Sequence, residues 1–263
     1  MLPLVYMPEQ IRLGLRGVLT DIDDTLSTAG RISGAAYTAL ERLQDAGLRV
    51  IPITGRPAGW CDHIARMWPV DAVVGENGAF YMRYDHERRK LATRRVQSRE
   101  DPELQSRLVS IAHSILREVP GAAIASDQPY RINDLAIDYC EDVARLPTEA
   151  VDRIVALMQA EGMTAKVSSI HVNGWFGQYD KLGMTRTLLA ECFATDLDER
   201  RDEFVFIGDS PNDAPMFAFF PASVGVANVR EYGERLPKAP AYVTEARSGS
   251  GFVELVDFIL AGR

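Results

Sequence analysis

The sequence predicts an α/β protein built on a doubly wound parallel sheet, with a smaller α+β insert interrupting it once. Three observations carry this. Short apolar runs ending in polar residues alternate with amphipathic helical stretches. Each run is nearly continuous in apolar residues, as a strand covered on both faces requires. The rhythm breaks after about Tyr84 and resumes near Lys181.

Taken in order, "LRGVLTDID" reads as the first strand, and "SGAAYTALERLQDAGL" as a helix with Ala36, Leu40 and Leu43 on one stripe, begun at Ser33 and stopped by Gly47. "RVIPITGR" is a second strand, "GWCDHIARMW" a helix and "DAVVGENGAF" a third strand. The insert then opens with "HERRKLATRRV", a charged stretch read as solvated surface because acids intersperse its Arg88 to Arg95 cluster. "RLVSIAHSILREV" places Leu108, Ile111, Ile115 and Val119 on one helical face; "INDLAIDYCED" alternates as a strand, and "TEAVDRIVALMQAEG" is a second helix. "TAKVSSIHVN" is expected as one strand, with Ser169, His171 and Asn173 on its polar face. That face suits contact with a sugar, or is simply wet. After a helix from Lys181 come the apolar strand "EFVFIGDS", a helix "APMFAFF", short strands "ASVGVA" and "AYVT", and a closing helix "GFVELVDFIL".

Composition narrows the function. The 263 residues are 46% hydrophobic, enough for a large core. A net charge of −8 opposes a general affinity for nucleic acid or anionic membranes, so neither is expected as a partner. Cys61, Cys140 and Cys192 are odd in number and outside metal-ligand spacing, which fits reduced thiols. The start "MLPLVYMPEQIRLG" shows no basic lead into an apolar segment, and no apolar run approaches the roughly 20 residues of a spanning helix, so a soluble, cytoplasmic protein is expected.

In open parallel sheets, ligands bind beyond the carboxyl ends of the strands. Asp21 and Asp23 follow the first strand, Thr54 and Arg56 the second, Lys181 opens the helix after the insert, and Asp209 and Asp213 follow "FVFIG". If these ends adjoin, several carboxylates converge, and two of them about 4 Å apart repel by roughly 4 kcal/mol at an effective dielectric near 20. A cation is then required. An all-oxygen set suits Mg²⁺ better than zinc, for which His and Cys would be expected.

"DIDDT", "ITGR", Lys181 and "GDSPND" together resemble the four ordered motifs of the haloacid dehalogenase superfamily of phosphohydrolases. The place of the insert and the "GENGA" stretch before it are similar to the branch with a large α/β cap, which includes sucrose-phosphate and mannosyl-phosphoglycerate phosphatases, Cof-type phosphatases and phosphomannomutases. The resemblance implies a Rossmann-like core over residues 1–83 and 178–263, with a cap over 84–177 that selects the substrate. It implies Asp21 as nucleophile, Asp23 as general acid and base, Thr54 as a hydroxyl donor to the phosphoryl group and Lys181 as a fixed charge. It implies Mg²⁺ held by Asp21, the Asp23 carbonyl, Asp209 and Asp213. Thr25, Gly55, Arg56, Asn77, His171, Asn173 and Asn212 are the implied substrate contacts. Asp24 departs from the pattern, which often has glycine there. The activity implied is hydrolysis of a small phosphorylated metabolite, a sugar phosphate foremost, by a monomer or small homo-oligomer; a phosphomutase would share every core residue.

Two other classes remain to be weighed. A phospho-accepting receiver also joins acids, a hydroxyl, a Lys and Mg²⁺, but it needs an acceptor Asp at a middle strand end, where "RVIPITGR" offers Thr54. A catalytically idle sugar-phosphate binder would have no use for intact Asp21 and Asp23.

Overall fold

The structure, a computed structural model, describes residues 1–96 and 102–262. The chain runs β1 (Leu2–Pro3), α1 (Glu9–Gly14), β2 (Gly17–Thr20), α2 (Gly34–Asp45), β3 (Arg49–Pro52), α3 (Ala58–Met67), β4 (Val73–Gly75), β5 (Phe80–Asp85) and β6 (Lys90–Arg95). It continues through α4 (Pro102–Glu118), β7 (Ala123–Ile124), β8 (Asp134–Asp138), α5 (Thr148–Ala160), β9 (Thr164–Val167) and β10 (His171–Trp175). The remainder is α6 (Lys181–Phe193), α7 (Leu197–Arg200), β11 (Phe204–Gly208), α8 (Ala214–Phe219), β12 (Ala222–Gly225), β13 (Tyr242–Val243) and α9 (Ser248–Leu260). Residues 97–101 of the expected insert, and Arg263, lie outside the described residues.

The main sheet is parallel throughout, in the order β1-β13-β12-β11-β2-β3. Its strands are apolar on both faces because both are covered. Val18, Val50, Val205 and Ile207 point into a layer with α2, α3 and α9, while Leu19, Ile51 and Phe206 point into another with α6 and α8. Burial of each such side chain contributes about 1.5–3 kcal/mol. Local signals act as expected: the Ser33 hydroxyl accepts from Ala36 N at 3.1 Å to begin α2, and Gly47 takes φ +75° to end it. Residues 1–14 close the sheet's edge, with Leu2–Pro3 paired to Tyr242–Val243 and Leu4 and Met7 buried.

Two antiparallel sheets complete the molecule. One has the order β4-β5-β6 and adjoins the main sheet through a bridge from Val74 to Ile53. The charged stretch read as surface forms its outer strand: Lys90 to Arg95 pair with β5 while their side chains stay largely in solvent, a charged edge that resists further pairing. The other sheet, β7-β8-β10-β9, packs α4 and α5 on one face through Leu135, Ile137, Val172 and their neighbours.

One strand expectation is corrected here. "TAKVSSIHVN" is a hairpin, not a single strand. The Ser168 hydroxyl accepts from His171 N at 3.0 Å, and Ser168 N donates to His171 O at 2.9 Å, so the chain reverses at Ser168–His171 and Ser169 leaves the strand face it was expected to share. His171 and Asn173 do share a face, the one turned away from the helices.

Candidate active site

Parallel pairing of β11 with β2 and of β2 with β3 sets their carboxyl ends side by side. Asp21, one residue beyond β2, is anchored by its N–H to Ile207 O at 2.9 Å. Asp209, one residue beyond β11, is anchored by its N–H to the Asp213 Oδ2 at 3.1 Å. One carboxylate oxygen from each of Asp21, Asp209 and Asp213 falls within 4.8 Å of the others, all three buried.

Lys181 enters this cluster from the first turn of α6. Its Nζ donates to Asp21 Oδ1 and to Asp213 Oδ1, each at 2.7 Å. The Asp180 side chain begins that helix by accepting from Gly183 N at 2.7 Å. Beneath it lies the "GENGA" turn, where Gly78 has φ +105° and a Cβ would sit 2.0 Å from the Asp180 carbonyl oxygen. Only glycine allows the turn and the helix end to approach so closely.

Three acids share one ammonium, and the electrostatics record the shortage. Burial, with Asp213 and Asp23 nearby, pushes the Asp21 carboxyl up to about 8 against the pull of Lys181. Burial, Asp21 and Asp213 hold Asp209 well above the ordinary carboxylate range. For Lys181, burial disfavours the charge, but Asp21 and Asp213 outweigh it and raise the ammonium above its ordinary value. Asp209 Oδ2 accepts from Asn228 Nδ2 at 3.2 Å, while Oδ1 is buried without a partner. An orphaned carboxylate oxygen among converging acids fits an oxygen-liganded divalent cation.

Asp23 sits at the rim. The Arg56 guanidinium grips it with Nε 3.0 Å from both carboxylate oxygens and Nη2 2.8 Å from Oδ1, and stacks on Trp60 at 4.3 Å. Asp24 adopts φ +53°, a conformation glycine enters freely, which accounts for the residue usual at that point of the motif. Thr54 is buried, its Oγ1 accepting from Arg56 N at 3.0 Å. Gly55 follows, its carbonyl accepting from Arg131 at 2.8 Å. Asn212 donates to Asn77 Oδ1 at 3.5 Å and accepts from Ser210 Oγ at 2.8 Å; Asn77 Nδ2 and Thr25 Oγ1 are buried and unpartnered.

Residues 18–118 match a family model described as haloacid dehalogenase-like hydrolase. Over that stretch the chain resembles the haloacid dehalogenase superfamily. A phosphoglycolate phosphatase of Methanoculleus marisnigri is 28% identical over 245 residues, covering 92% of this chain and 95% of that one. Another, of Methanospirillum hungatei, is 25% identical over 249 residues, covering 92% and 95%. Among solved structures, the C-terminal domain of the Candida albicans trehalose-6-phosphate phosphatase superposes with a TM-score of 0.70 at 15% identity, over 98% of each chain. The Synechocystis sucrose-phosphatase does so with a TM-score of 0.59 at 15% identity, over 93% and 98%. At such identities the structures show the fold alone.

In this chain, the sheet β7-β8-β10-β9 turns its polar face toward the strand ends. Asn173 Oδ1 lies 3.6 Å from where a Gly55 Cβ would be, and its Nδ2 donates to Asp134 Oδ2 at 3.0 Å. His171 Nε2 is 2.8 Å from Glu141 Oε2. Both residues are thus engaged within the insert. Glu141 also pairs with Arg56 at 2.5 Å, and Asp127 does so at 3.3 Å. Burial opposes ionisation of Glu141, but its contacts with His171 and Arg56 outweigh it and draw the carboxyl down to about 2.

Sequence reasoning missed four groups here. Glu141 and Asp127 reach Arg56 across the interface. Arg131, fully buried, ties Asp127, Asp134 and the Gly55 carbonyl together. Glu76 accepts from Ala58 N on one side and from Ile132 N and Asn133 N on the other, bolting the insert to the core. Burial and the nearby Asp134 push its carboxyl up to about 7. The only cue in the sequence was the acid alternation of "INDLAIDYCED". Among the described residues, no helix is long and apolar enough to cross a membrane.

Proposed function

We propose that this phosphatase is Mg²⁺-dependent and hydrolyses a small phosphomonoester through an aspartyl-phosphate intermediate, with the insert serving as its cap. The observation that carries the reading is the cage in which Lys181 joins Asp21 to Asp213 beside the orphaned oxygen of Asp209. Of the cage acids, Asp21 and Asp209 retain capacity for a metal, whereas Asp213 uses Oδ1 on Lys181 and Oδ2 on two backbone N–H groups, so it serves chiefly to hold the lysine and the loop. When bound there, Mg²⁺ would neutralise the phosphoryl oxyanions.

In the first half-reaction an Asp21 oxygen attacks phosphorus as the bond to the leaving oxygen breaks, and Asp23 passes that oxygen a proton. In the second, water attacks phosphorus, Asp23 takes its proton, and orthophosphate leaves as Asp21 is regenerated. Lys181 fixes the Asp21 carboxylate and balances its charge, Arg56 orients Asp23, and Thr54 and Asn77 offer a hydroxyl and an amide to the phosphoryl oxygens. No single side chain supplies the acceleration, which approaches ~10²¹-fold for phosphate monoesters.

The test is phosphate release from a panel of phosphorylated sugars and short phosphorylated acids. Activity should require Mg²⁺, vanish with chelator, and fall at least ~10³-fold in Asp21→Asn. Comparable turnover by that variant would refute the covalent route. Release that depends on an added sugar bisphosphate would favour the mutase.

A further inference from the structure

We propose that Lys166 binds an anionic group on the leaving side of the substrate, so that the preferred ester is one whose leaving alcohol carries a carboxylate, not a neutral sugar. This rests on the phosphatase reading above and assigns the part of the substrate that reading leaves open.

The argument begins with strand parity. Ala165 and Val167 of β9 pack against α4 and α5, so Thr164 and Lys166 project from the opposite face. Lys166 lies directly across from Asn173, whose side chain reaches Gly55 at the catalytic strand ends. A cavity of about 550 Å³ links Lys166 to the catalytic centre: its walls include Lys166 and Trp175 from the insert and Asn77, Lys181 and Asn212 from the core.

The chemistry of those walls is donor-rich. Asn77 Nδ2 and Trp175 Nε1 are buried donors without partners. The acid of the cavity wall, Asp180, has its Oδ1 committed to Gly183 N. Lys166 forms no salt bridge among the described residues. Of the groups expected to greet a sugar, Asn173 is hydrogen-bonded to Asp134, and His171 Nε2 lies 2.8 Å from the Glu141 carboxylate. A second anion, beyond the phosphoryl group, is what the remaining donors complement. Full-length relatives named for phosphoglycolate, an ester of this class, agree with the assignment.

The experiment compares kcat/KM for phosphoglycolate and for 2-hydroxyethyl phosphate, which replaces the carboxylate with a neutral hydroxymethyl group, in wild type, Lys166→Met and Lys166→Arg. Lys166 is exposed, so neither variant threatens folding. The wild type should prefer phosphoglycolate, and Lys166→Met should lower the ratio of the two values about 10- to 100-fold, mostly through KM, as loss of a charge-assisted hydrogen bond implies. Lys166→Arg should recover most of the ratio. A ratio unchanged in Lys166→Met, or a wild type that prefers the neutral ester, overturns the assignment while leaving the phosphatase standing. Absence of phosphate release from every ester by wild type sinks both.

Discussion

The strand ends of the core and the polar face of the insert are both rich in buried charge, yet they are built to opposite rules. In the insert, Arg131 meets Asp127 and Asp134, Asn173 meets Asp134, and Glu141 meets His171 and Arg56, so each charge finds its complement within the protein. In the core, Asp21, Asp209 and Asp213 crowd around a single Lys181, and one Asp209 oxygen has no partner. A satisfied network holds shape. An unsatisfied one invites a ligand, and the contrast separates the groups that do chemistry from those that position them.

The division is broken most directly at Lys181. Lys181→Met should cut phosphate release by ~10²–10³-fold, since a fixed charge at the reacting group is lost. Without metal it should also lower stability by roughly 3–5 kcal/mol, because buried carboxylates lose their counter-charge. Urea denaturation in chelator and turnover assays in Mg²⁺ read the two effects apart, and near-normal turnover would remove Lys181 from the machinery.

Arg131→Met probes the other side. Its removal strands Asp127 and Asp134 in the interior, so a stability loss of about 3–5 kcal/mol is expected, with turnover of the folded fraction far less affected than in Lys181→Met. A variant that unfolds normally but loses its chemistry would place Arg131 among the reacting groups and collapse the distinction.

The smallest effect is one of pH. The Glu141 carboxyl is drawn from its ordinary 4.5 to about 2 in the folded protein, so its contribution is fully present above pH 4.5 and is lost as pH falls toward 2. The stability margin of wild type over Glu141→Gln should therefore be greatest near neutrality and narrow between pH 4.5 and 3, as followed by urea midpoints. A margin independent of pH would mean that the ion pair with Arg56 is not what Glu141 contributes.

These two regions also differ in how far they can be read from sequence. Asp21 and Asp209 are legible because a continuous apolar run fixes a buried strand, and the polar residue after it lies at the sheet's binding edge, whereas Lys181 and Asp213 are legible only through the resemblance of the ordered motifs. The α/β alternation and the stop at Gly47 follow from equally local rules. The grip of Glu141 and Asp127 on Arg56 depends instead on how the insert docks, the partners standing 85 and 71 positions along the chain from Arg56, and no periodicity encodes it. The hairpin inside "TAKVSSIHVN" escaped notice because a serine hydroxyl, not a glycine or proline, makes the reversal. The outer strand from Lys90 to Arg95 was hidden by its charge, which is what an exposed edge requires.

The contact beneath α6 has a consequence for the reaction. Because Gly78 lets the turn nest against the Asp180 carbonyl, the absence of one methyl group sets the depth at which the ammonium of the next residue is seated. The turn works as a spacer of fixed thickness. A thicker one would lift the helix and detune the nucleophile's surroundings with every charge in the catalytic centre unaltered.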